Sequence, residues 1–166
     1  MRKLLCIFLC LCTVFCAGCF DQNKSTQLQF YYPRLEYTYG NVDGMIAGEP
    51  RADATDHSAA KLLNLYLEGP VDPQFVNPFP EELEIIDVRS DGHALYITVS
   101  DHMAKLSGAS LITACACLAK TGMHLVGVES AYVHCESLLL DGKKGIWINE
   151  DTTIFYDDTS ALDSAD

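Results

Sequence analysis

Histidine and serine side chains are the first candidates for chemistry in this chain. The five histidines are too widely spaced for a zinc-binding helix: His57, His93, His102, His124 and His134. Beyond Cys19, no Cys-x-x-Cys pair occurs, and the chain has no phosphate-binding loop, dinucleotide fingerprint or Gly-x-Ser-x-Gly elbow. Ser100-Asp101-His102 has the residue types of a catalytic triad, but we do not expect neighbours in one turn to point at one another. We interpret it as a helix cap with a surface histidine, and the sequence predicts no catalytic residue, metal or cofactor.

A cluster of acidic residues lies at the start of a predicted hairpin. Its members are Glu81, Glu82, Glu84 and Asp87. Carboxylates bind calcium, but this cluster lacks the spaced oxygen ligands of a known calcium loop. We therefore interpret it as a solvated face.

The first 18 residues are typical of an export signal. Two basic residues precede an apolar run from Leu4 to Phe15, and small residues stand directly before Cys19. Ala17-Gly18-Cys19 resembles a bacterial lipobox, with Cys16 where that motif usually has leucine. The resemblance implies cleavage after residue 18 and acylation of Cys19, for example by palmitate. The alternative is an uncleaved anchor helix from Leu4 to Phe20, which is at the short limit for spanning a bilayer.

Net charge narrows the class of partner. Removal of the signal leaves nine basic against 23 acidic residues, a net charge of −14. This charge repels phosphate backbones and anionic lipid headgroups, so we expect no nucleic acid and a membrane contact through the lipid anchor alone. A basic domain of another extracytoplasmic protein is a better electrostatic match, and the alternative is that the acidity only confers solubility.

Three cysteines besides Cys19 remain in the predicted mature chain: Cys115, Cys117 and Cys135. An odd number cannot pair completely within one chain. Cys115 and Cys117 point to different faces of a predicted helix, which is poor geometry for a bridge. We interpret all three as small core residues, with a bridge from Cys135 to Cys115 or Cys117 as the alternative.

Two helices and a hairpin must position these residues. The first helix is predicted from about His57 to Glu68, capped by Asp56 and stopped by Gly69-Pro70. The hairpin has β-rich segments on either side of Asp91-Gly92. A second helix is predicted from about Gly108 to Thr121, capped by Ser107 and closed by Gly122.

Short strands fill most of the remaining chain, and a proline-rich stretch at 71–82 is predicted to be an ordered loop pinned by Phe75, Val76 and Phe79. The predicted strands or extended segments are Leu28–Pro33, Arg34–Asn41, Met45–Arg51, Ser130–Cys135, Leu138–Leu140, Gly145–Ile148 and Thr152–Tyr156. Together these elements predict an α+β fold with two helices on one face of a mainly antiparallel sheet of four to six strands, a two-layer sandwich.

Four segments follow from this organisation. Residues 1–18 form the predicted lipoprotein signal peptide, 19–27 a tether, 28–156 a single domain, and 157–166 an acidic tail with the composition of a disordered segment. The tether is short enough to hold the domain near the membrane, at the extracytoplasmic face.

The order of the elements resembles the GerMN domain family, known from sporulation and germination lipoproteins. The similarity covers 28–140. It rests on a leading strand at Leu28–Tyr32, on Leu62-Leu63-x-x-x-Leu67-x-Gly69-Pro70, and on Pro80 before a strand. It also rests on Ala94-x-x-x-Thr98-Val99-Ser100 before a turn, and on the second helix leading into the strand around Val128–Val133. The resemblance implies a non-enzymatic envelope interaction or scaffold module. The alternative is a lipoprotein that binds a cell-wall glycan or small ligand, since aromatic rings stack on sugars; the candidate rings are Tyr31, Tyr32, Tyr37, Tyr39 and Trp147.

Overall fold

The computed structural model describes residues 28–36, 44–52, 58–139 and 142–149. The predicted signal peptide, Cys19, the tether, Tyr37, Tyr39, the strand at 152–156 and the acidic tail lie outside these residues. The described elements, in chain order, are β1 (Gln29–Pro33), β2 (Ile46–Pro50), α1 (Ala59–Leu67), β3 (Ile85–Ser90), β4 (Ala94–Val99), a 3-10 turn (Asp101–Lys105), α2 (Gly108–Val126), β5 (Ser130–His134) and β6 (Gly145–Asn149).

The fold is α+β, as predicted, but the prediction of a single sheet is wrong. The described strands form two sheets: β1 and β2 pair in one, and the other has the order β3-β4-β5-β6. All neighbours are antiparallel except β4 and β5, which are parallel. The parallel pair arises because α2 lies between these strands in the chain and returns it to the same end of the sheet.

Helix α2 contacts both sheets, so the prediction that the helices cover only one face is also wrong. It packs against β1 of the small sheet and against β4 and β5 of the large one. Its buried residues occupy almost its whole circumference, which is typical of a core helix. They are Leu111, Ala114, Cys115, Ala116, Cys117, Leu118, Ala119, Thr121, Gly122 and Met123.

The C-terminus of α2 also lies beyond its predicted position. The helix continues to Val126, and Gly127, with φ of 75°, donates its N–H to Met123 O at 2.8 Å. Gly122 is instead a helix interior residue at the closest approach to the large sheet. A Cβ at Gly122 would lie 2.5 Å from Leu95 Cδ2 and 3.0 Å from Ile97 Cδ1, so the absence of a side chain permits this packing.

Helix α1 ends as predicted but begins with a different cap. Ser58 Oγ accepts a hydrogen bond from Lys61 N at 3.4 Å, whereas Asp56 lies outside the described residues. Gly69 follows the helix with φ of 102°, which favours glycine. α1 contacts α2 and β3.

Two buried tyrosines connect β1 to α1. The Tyr66 hydroxyl donates to Tyr31 O at 2.6 Å, and the Tyr32 hydroxyl donates to Tyr66 O at 2.7 Å. Both side chains are fully buried. Burial raises the pKa of each phenol above its ordinary value because the phenolate would lose its hydration.

The proline-rich segment is held by both polar and apolar contacts. Glu49 Oε1 accepts hydrogen bonds from Val71 N at 2.8 Å and Asp72 N at 2.6 Å. Phe75 and Phe79 pack against the core, as predicted. Val76 is not part of this packing, contrary to the prediction, and is 39% exposed.

The chain between β5 and β6 is not a strand at Leu138–Leu139, contrary to the prediction. Leu138 donates its N–H to Cys135 O at 3.1 Å and forms a turn, with its side chain buried and that of Leu139 exposed. A turn places Leu138 in the core without a further strand. Leu140 lies outside the described residues.

One helix within the described ranges, α2, has the length and apolar composition to cross a membrane. Most of it is buried in the fold, and a core helix passes the same test.

Candidate binding face

One face of the large sheet packs on α2, and among the described residues the opposite face carries partly exposed side chains such as Trp147. Leu95 on β4 points towards the helix, so its sequence neighbour Tyr96 points the other way. Strand pairing places Arg89 beside Tyr96, Tyr96 beside Tyr132, and Tyr132 beside Trp147. These four residues form a line across all four strands, and we call them the aromatic row.

The rings of the aromatic row contact one another in series. Tyr96 and Trp147 have centroids 5.7 Å apart and planes at 76°, an edge-to-face contact. Tyr132 and Trp147 are 5.1 Å apart and tilted by 41°, and Tyr132 also stacks on His134 at 6.2 Å. The rings therefore support each other at angles typical of aromatic pairs. Trp147 nevertheless remains 55% exposed.

A glycine on β6 gives the Tyr132 ring its position. A Cβ at Gly145 would lie 2.7 Å from Tyr132 Cζ and 2.4 Å from Val133 O. The Tyr132 ring therefore lies over the bare backbone of the neighbouring strand, an arrangement that covers a glycine with an aromatic side chain. This packing holds the middle ring of the aromatic row in place.

Charged side chains of both signs flank the aromatic row. Arg89 Nε lies 3.2 Å from Asp87 Oδ2 at one end. At the other end, Lys144 forms an ion pair and hydrogen bond with Glu136, and this contact lowers the pKa of the Glu136 carboxyl below its ordinary value. His134 Nε2 lies 3.5 Å from Glu136 Oε2.

A cavity of about 260 Å³ lies beside the aromatic row, at the end of the β3–β4 hairpin. We call it the hairpin cavity; its lining includes Arg89, Ser90, Asp91 and Tyr96. Asp91 Oδ1 accepts hydrogen bonds from His93 N at 2.9 Å and Ala94 N at 2.8 Å, an Asx-type turn.

The second oxygen of Asp91 orients the aromatic wall of the hairpin cavity. Tyr96 OH donates to Asp91 Oδ2 at 3.2 Å. Hydrogen bonds from Ala94 and His93 lower the pKa of the Asp91 carboxyl, and the bond to Asp91 raises the pKa of the Tyr96 phenol. The carboxylate and the phenol therefore keep their charged and neutral forms, respectively, over a wide pH range.

The aromatic residues predicted as sugar contacts do not form one site. Tyr32 is fully buried, and Tyr31 is partly buried, with Lys120 Nζ 5.1 Å from its ring centroid. Trp147 lies on the other sheet, in the aromatic row. Tyr37 and Tyr39 lie outside the described residues.

The prediction that Ser100 and His102 do not point at one another is wrong. Ser100 Oγ lies 3.3 Å from His102 Nδ1, and His102 Nε2 lies 3.4 Å from Glu82 Oε2. The chain folds back so that Glu82, rather than adjacent Asp101, reaches the ring. The His102 and Glu82 side chains are 37% and 75% exposed, so solvent screens this contact.

Ser100 and Asp101 have structural hydrogen bonds of their own. Ser100 precedes the 3-10 turn without a side-chain capping bond, and its Oγ accepts from Glu84 N at 3.1 Å. Asp101 Oδ1 accepts from Ser137 N at 3.0 Å, and hydrogen bonds from Ser137 lower the pKa of the Asp101 carboxyl. The first contact joins the end of β4 to the start of β3, and the second joins it to the chain that follows β5.

The acidic cluster is exposed, which agrees with the interpretation of a solvated face. All four of its carboxylates belong to exposed residues: Glu81, Glu82, Glu84 and Asp87. Across the part of the chain that the structure describes, no group of three or more His, Cys, Asp or Glu side chains is arranged to hold a metal ion.

The three core cysteines are free and buried, so the alternative of a bridge from Cys135 is not realised. Cys135 Sγ lies 3.6 Å from Ser100 O and makes a weak hydrogen bond there. Burial raises the pKa of the Cys115 thiol to about 12 and that of Cys117 further. Both thiols therefore remain protonated at neutral pH and behave as small apolar side chains.

Arg89, Tyr96 and Tyr132 were not predicted as site residues. Their signal is the alternation within β4 and β5, where each tyrosine stands between buried neighbours. Alternation identifies outward residues on each strand separately. Their alignment in one line depends on the parallel pairing of β4 with β5, which the sequence pattern did not indicate.

No protein-family model matches this chain, and neither a curated protein nor a solved structure matches it significantly. The GerMN resemblance accordingly remains a prediction from the order of sequence motifs.

Proposed function

We propose that this protein is a non-enzymatic lipoprotein, anchored through Cys19 at the extracytoplasmic face of the cell membrane, that serves as an envelope interaction or scaffold module. Its binding surface is the aromatic row, through which it binds another exported protein. The observation that carries this proposal is the line of one arginine, two tyrosines and one tryptophan across an open sheet face.

The composition of the aromatic row supports a protein partner. Trp, Tyr and Arg are the residues most enriched among those that dominate the binding energy of protein interfaces. The rings are held by a four-stranded sheet and by each other, so little side-chain entropy remains to be lost on binding. Their edge-to-face and tilted arrangement gives a ridged surface, which suits side chains of a protein.

Net charge supports a basic partner. The whole chain has a formal net charge of −12, which becomes −14 if the signal is removed. Such a charge attracts cationic surfaces and accelerates their encounter with the protein. A basic domain of an exported protein is the partner that this balance favours.

The GerMN resemblance supports a role during sporulation or spore germination. Proteins of this kind would assemble with other envelope components around the developing spore. Microscopy of a tagged full-length copy through growth and sporulation tests this context. Uniform localisation with no change in spore yield after deletion would contradict it.

The non-enzymatic part of the proposal is supported by the environment of the one serine–histidine contact described above. Ser100 Oγ is engaged by the Glu84 N–H and lies between two strand ends rather than in a described cavity. Its histidine partner is a third exposed and pairs with a carboxylate that is mostly in solvent. These are properties of a surface link between segments.

Site-specific crosslinking in intact cells tests the interaction surface. A photoreactive phenylalanine analogue replaces Trp147 in one variant and Val71 in a matched control, because Val71 is 75% exposed but lies outside the aromatic row. We expect a discrete protein adduct from position 147 and none of that size from position 71. Identical adduct patterns, or no adduct at position 147, would contradict the proposal.

A further inference from the structure

The hairpin cavity shares Arg89 and Tyr96 with the aromatic row and adds the Asp91 carboxylate and the Ser90 hydroxyl. It is a small recess with one aromatic wall, one cation and one anion: Tyr96, Arg89 and Asp91. We infer that it binds one neutral pyranose ring of a glycan. This inference goes beyond the protein-binding role and depends only on the open face beside the aromatic row.

The paired charges in the hairpin cavity select for a neutral ligand. The Asp91 carboxylate would repel an anionic ligand, and the Arg89 guanidinium would repel a cationic one. A neutral ligand with several hydroxyl groups can use both, because a carboxylate accepts hydrogen bonds and a guanidinium donates them. The contact of Arg89 with Asp87 uses Nε, and the guanidinium carries further N–H donors.

The aromatic wall and the size of the cavity favour a sugar among neutral polar ligands. The apolar C–H face of a pyranose packs on an aromatic ring, while its hydroxyls point sideways to polar groups. The cavity is open on one side, and its volume of about 260 Å³ is below the usual range of ligand sites, so it would hold no more than a single ring. Trp147 contacts Tyr96, with ring centroids 5.7 Å apart, and offers a second exposed aromatic surface beside the cavity.

Three of the four residues that line the hairpin cavity, Ser90, Asp91 and Tyr96, are held by hydrogen bonds before any ligand arrives. Asp91 is held by two backbone N–H groups, and Tyr96 OH is held by Asp91. Ser90 Oγ donates to Ala94 O at 3.0 Å and accepts from Gly92 N at 3.2 Å, which fixes the same turn. Binding therefore costs little ordering of the site.

Titration of the full-length protein in detergent micelles with defined tetrasaccharides tests the inference. The probes are a tetramer of N-acetylglucosamine, which is neutral, a tetramer of glucosamine, which is cationic, and a tetramer of galacturonic acid, which is anionic. Trp147 is the only tryptophan of the chain and contacts Tyr96, so its fluorescence reports occupancy. We expect saturable change with the neutral tetramer and at least tenfold weaker binding of both charged ones.

Two variants and one control locate the binding. Tyr96→Leu removes the aromatic wall and Arg89→Gln removes the charged donors, and each should weaken neutral binding about tenfold, equivalent to one stacking contact or a charged hydrogen bond. Lys144→Gln alters an exposed charge at the far end of the same face and should leave binding unchanged. Circular dichroism verifies that every variant is folded. If Tyr96→Leu does not fold, Arg89→Gln still tests the inference, because the Arg89 side chain is largely exposed.

Each outcome decides the inference. No binding of the neutral tetramer, tighter binding of a charged one, or equal binding by the parent and Arg89→Gln would overturn it. Loss of the sugar signal together with a protein adduct at position 147 would overturn the glycan site and leave the interaction module standing. A saturable sugar signal without a protein adduct would support the glycan site and contradict the interaction module.

Discussion

Tyr66 has two roles in the core, as donor and as acceptor. The Tyr66 hydroxyl donates a hydrogen bond to Tyr31 O, and the Tyr66 carbonyl accepts one from the Tyr32 hydroxyl. One residue of α1 is therefore bonded to two consecutive residues of β1. The rings of Tyr32 and Tyr66 also contact, with centroids 4.7 Å apart. Burial of the rings and hydrogen bonding of both hydroxyls therefore stabilise the same contact between α1 and β1.

Removal of the Tyr66 hydroxyl should destabilise the fold measurably. Tyr66→Phe leaves Tyr31 O without this buried donor, and we expect the free energy of unfolding to fall by about 1–3 kcal/mol. Tyr96→Phe is the matched control, because its hydroxyl bonds to an exposed carboxylate and should matter by less than about 0.5 kcal/mol. Urea titrations of both variants give the comparison. Equal losses would show that burial of the hydroxyl is irrelevant.

Alkaline pH should unfold the protein through its buried phenols and thiols. Burial raises the pKa of the Tyr32 and Tyr66 phenols above their ordinary value of 10.0, and that of the Cys115 and Cys117 thiols above 9.0. The unfolded chain therefore loses these protons first, so their contribution is complete below about pH 9 and decreases as pH rises further. Urea titrations between pH 7 and 11 should show this decrease. Above pH 10, the free energy of unfolding of Tyr66→Phe should fall less steeply with pH than that of the parent protein, by about 1.4 kcal/mol per pH unit, because one titrating phenol is gone.

At the scale of elements, α2 determines how the sheets are arranged. Its small side chains allow β1 to approach one side and β4 and β5 another. Thr121 Oγ1 accepts a hydrogen bond from Tyr31 N at 2.9 Å, while adjacent Gly122 contacts Leu95 and Ile97. Two consecutive residues thus contact different sheets.

Substitution of Gly122 tests this close packing. Gly122→Ala places a methyl group against Leu95 and Ile97, and overpacking should lower the free energy of unfolding by about 1–3 kcal/mol despite the higher helix propensity of alanine. Ser110→Ala, at an exposed position of the same helix, is the control and should change stability by less than about 0.5 kcal/mol. A stabilised Gly122→Ala variant would contradict the described contact.

The elements were largely predictable because their signals are local. Asp91-Gly92 marks the hairpin, Gly69 the end of α1, and alternation the strand at Ser130–His134. Gly122 misled the prediction, because a glycine that ends a helix and one that permits close packing look alike in sequence. Partition into two sheets was not predictable, since it depends on which strands pair across long separations.

At the scale of the whole molecule, the predicted anchor determines where the binding face can act. Residues 20–28 separate Cys19, the predicted acylation site, from β1, which begins at Gln29. Nine residues reach at most about 30 Å when fully extended. The domain would therefore search for partners only in the layer next to the membrane.

Loss of the acylation site should release the protein from the membrane. Cys19→Ala cannot form the thioether or accept a fatty acid, so we expect loss of labelling by an alkyne palmitate analogue and transfer from the membrane fraction to the soluble extracytoplasmic fraction. Cys135→Ala is the control, because its thiol is buried in the domain. Retention of Cys19→Ala in the membrane would favour the uncleaved anchor helix.

The position of α2 also has a consequence for biosynthesis. Strand β1 appears early in translation, yet the helix that covers it spans 108–126 and is made only after two thirds of the chain. Until then, α1 can cover part of β1 through Tyr66, but the side of β1 that packs on α2 has no partner. The core around β1 is therefore complete only when α2 is available, and we expect the domain to fold as one unit rather than stepwise from the N-terminus.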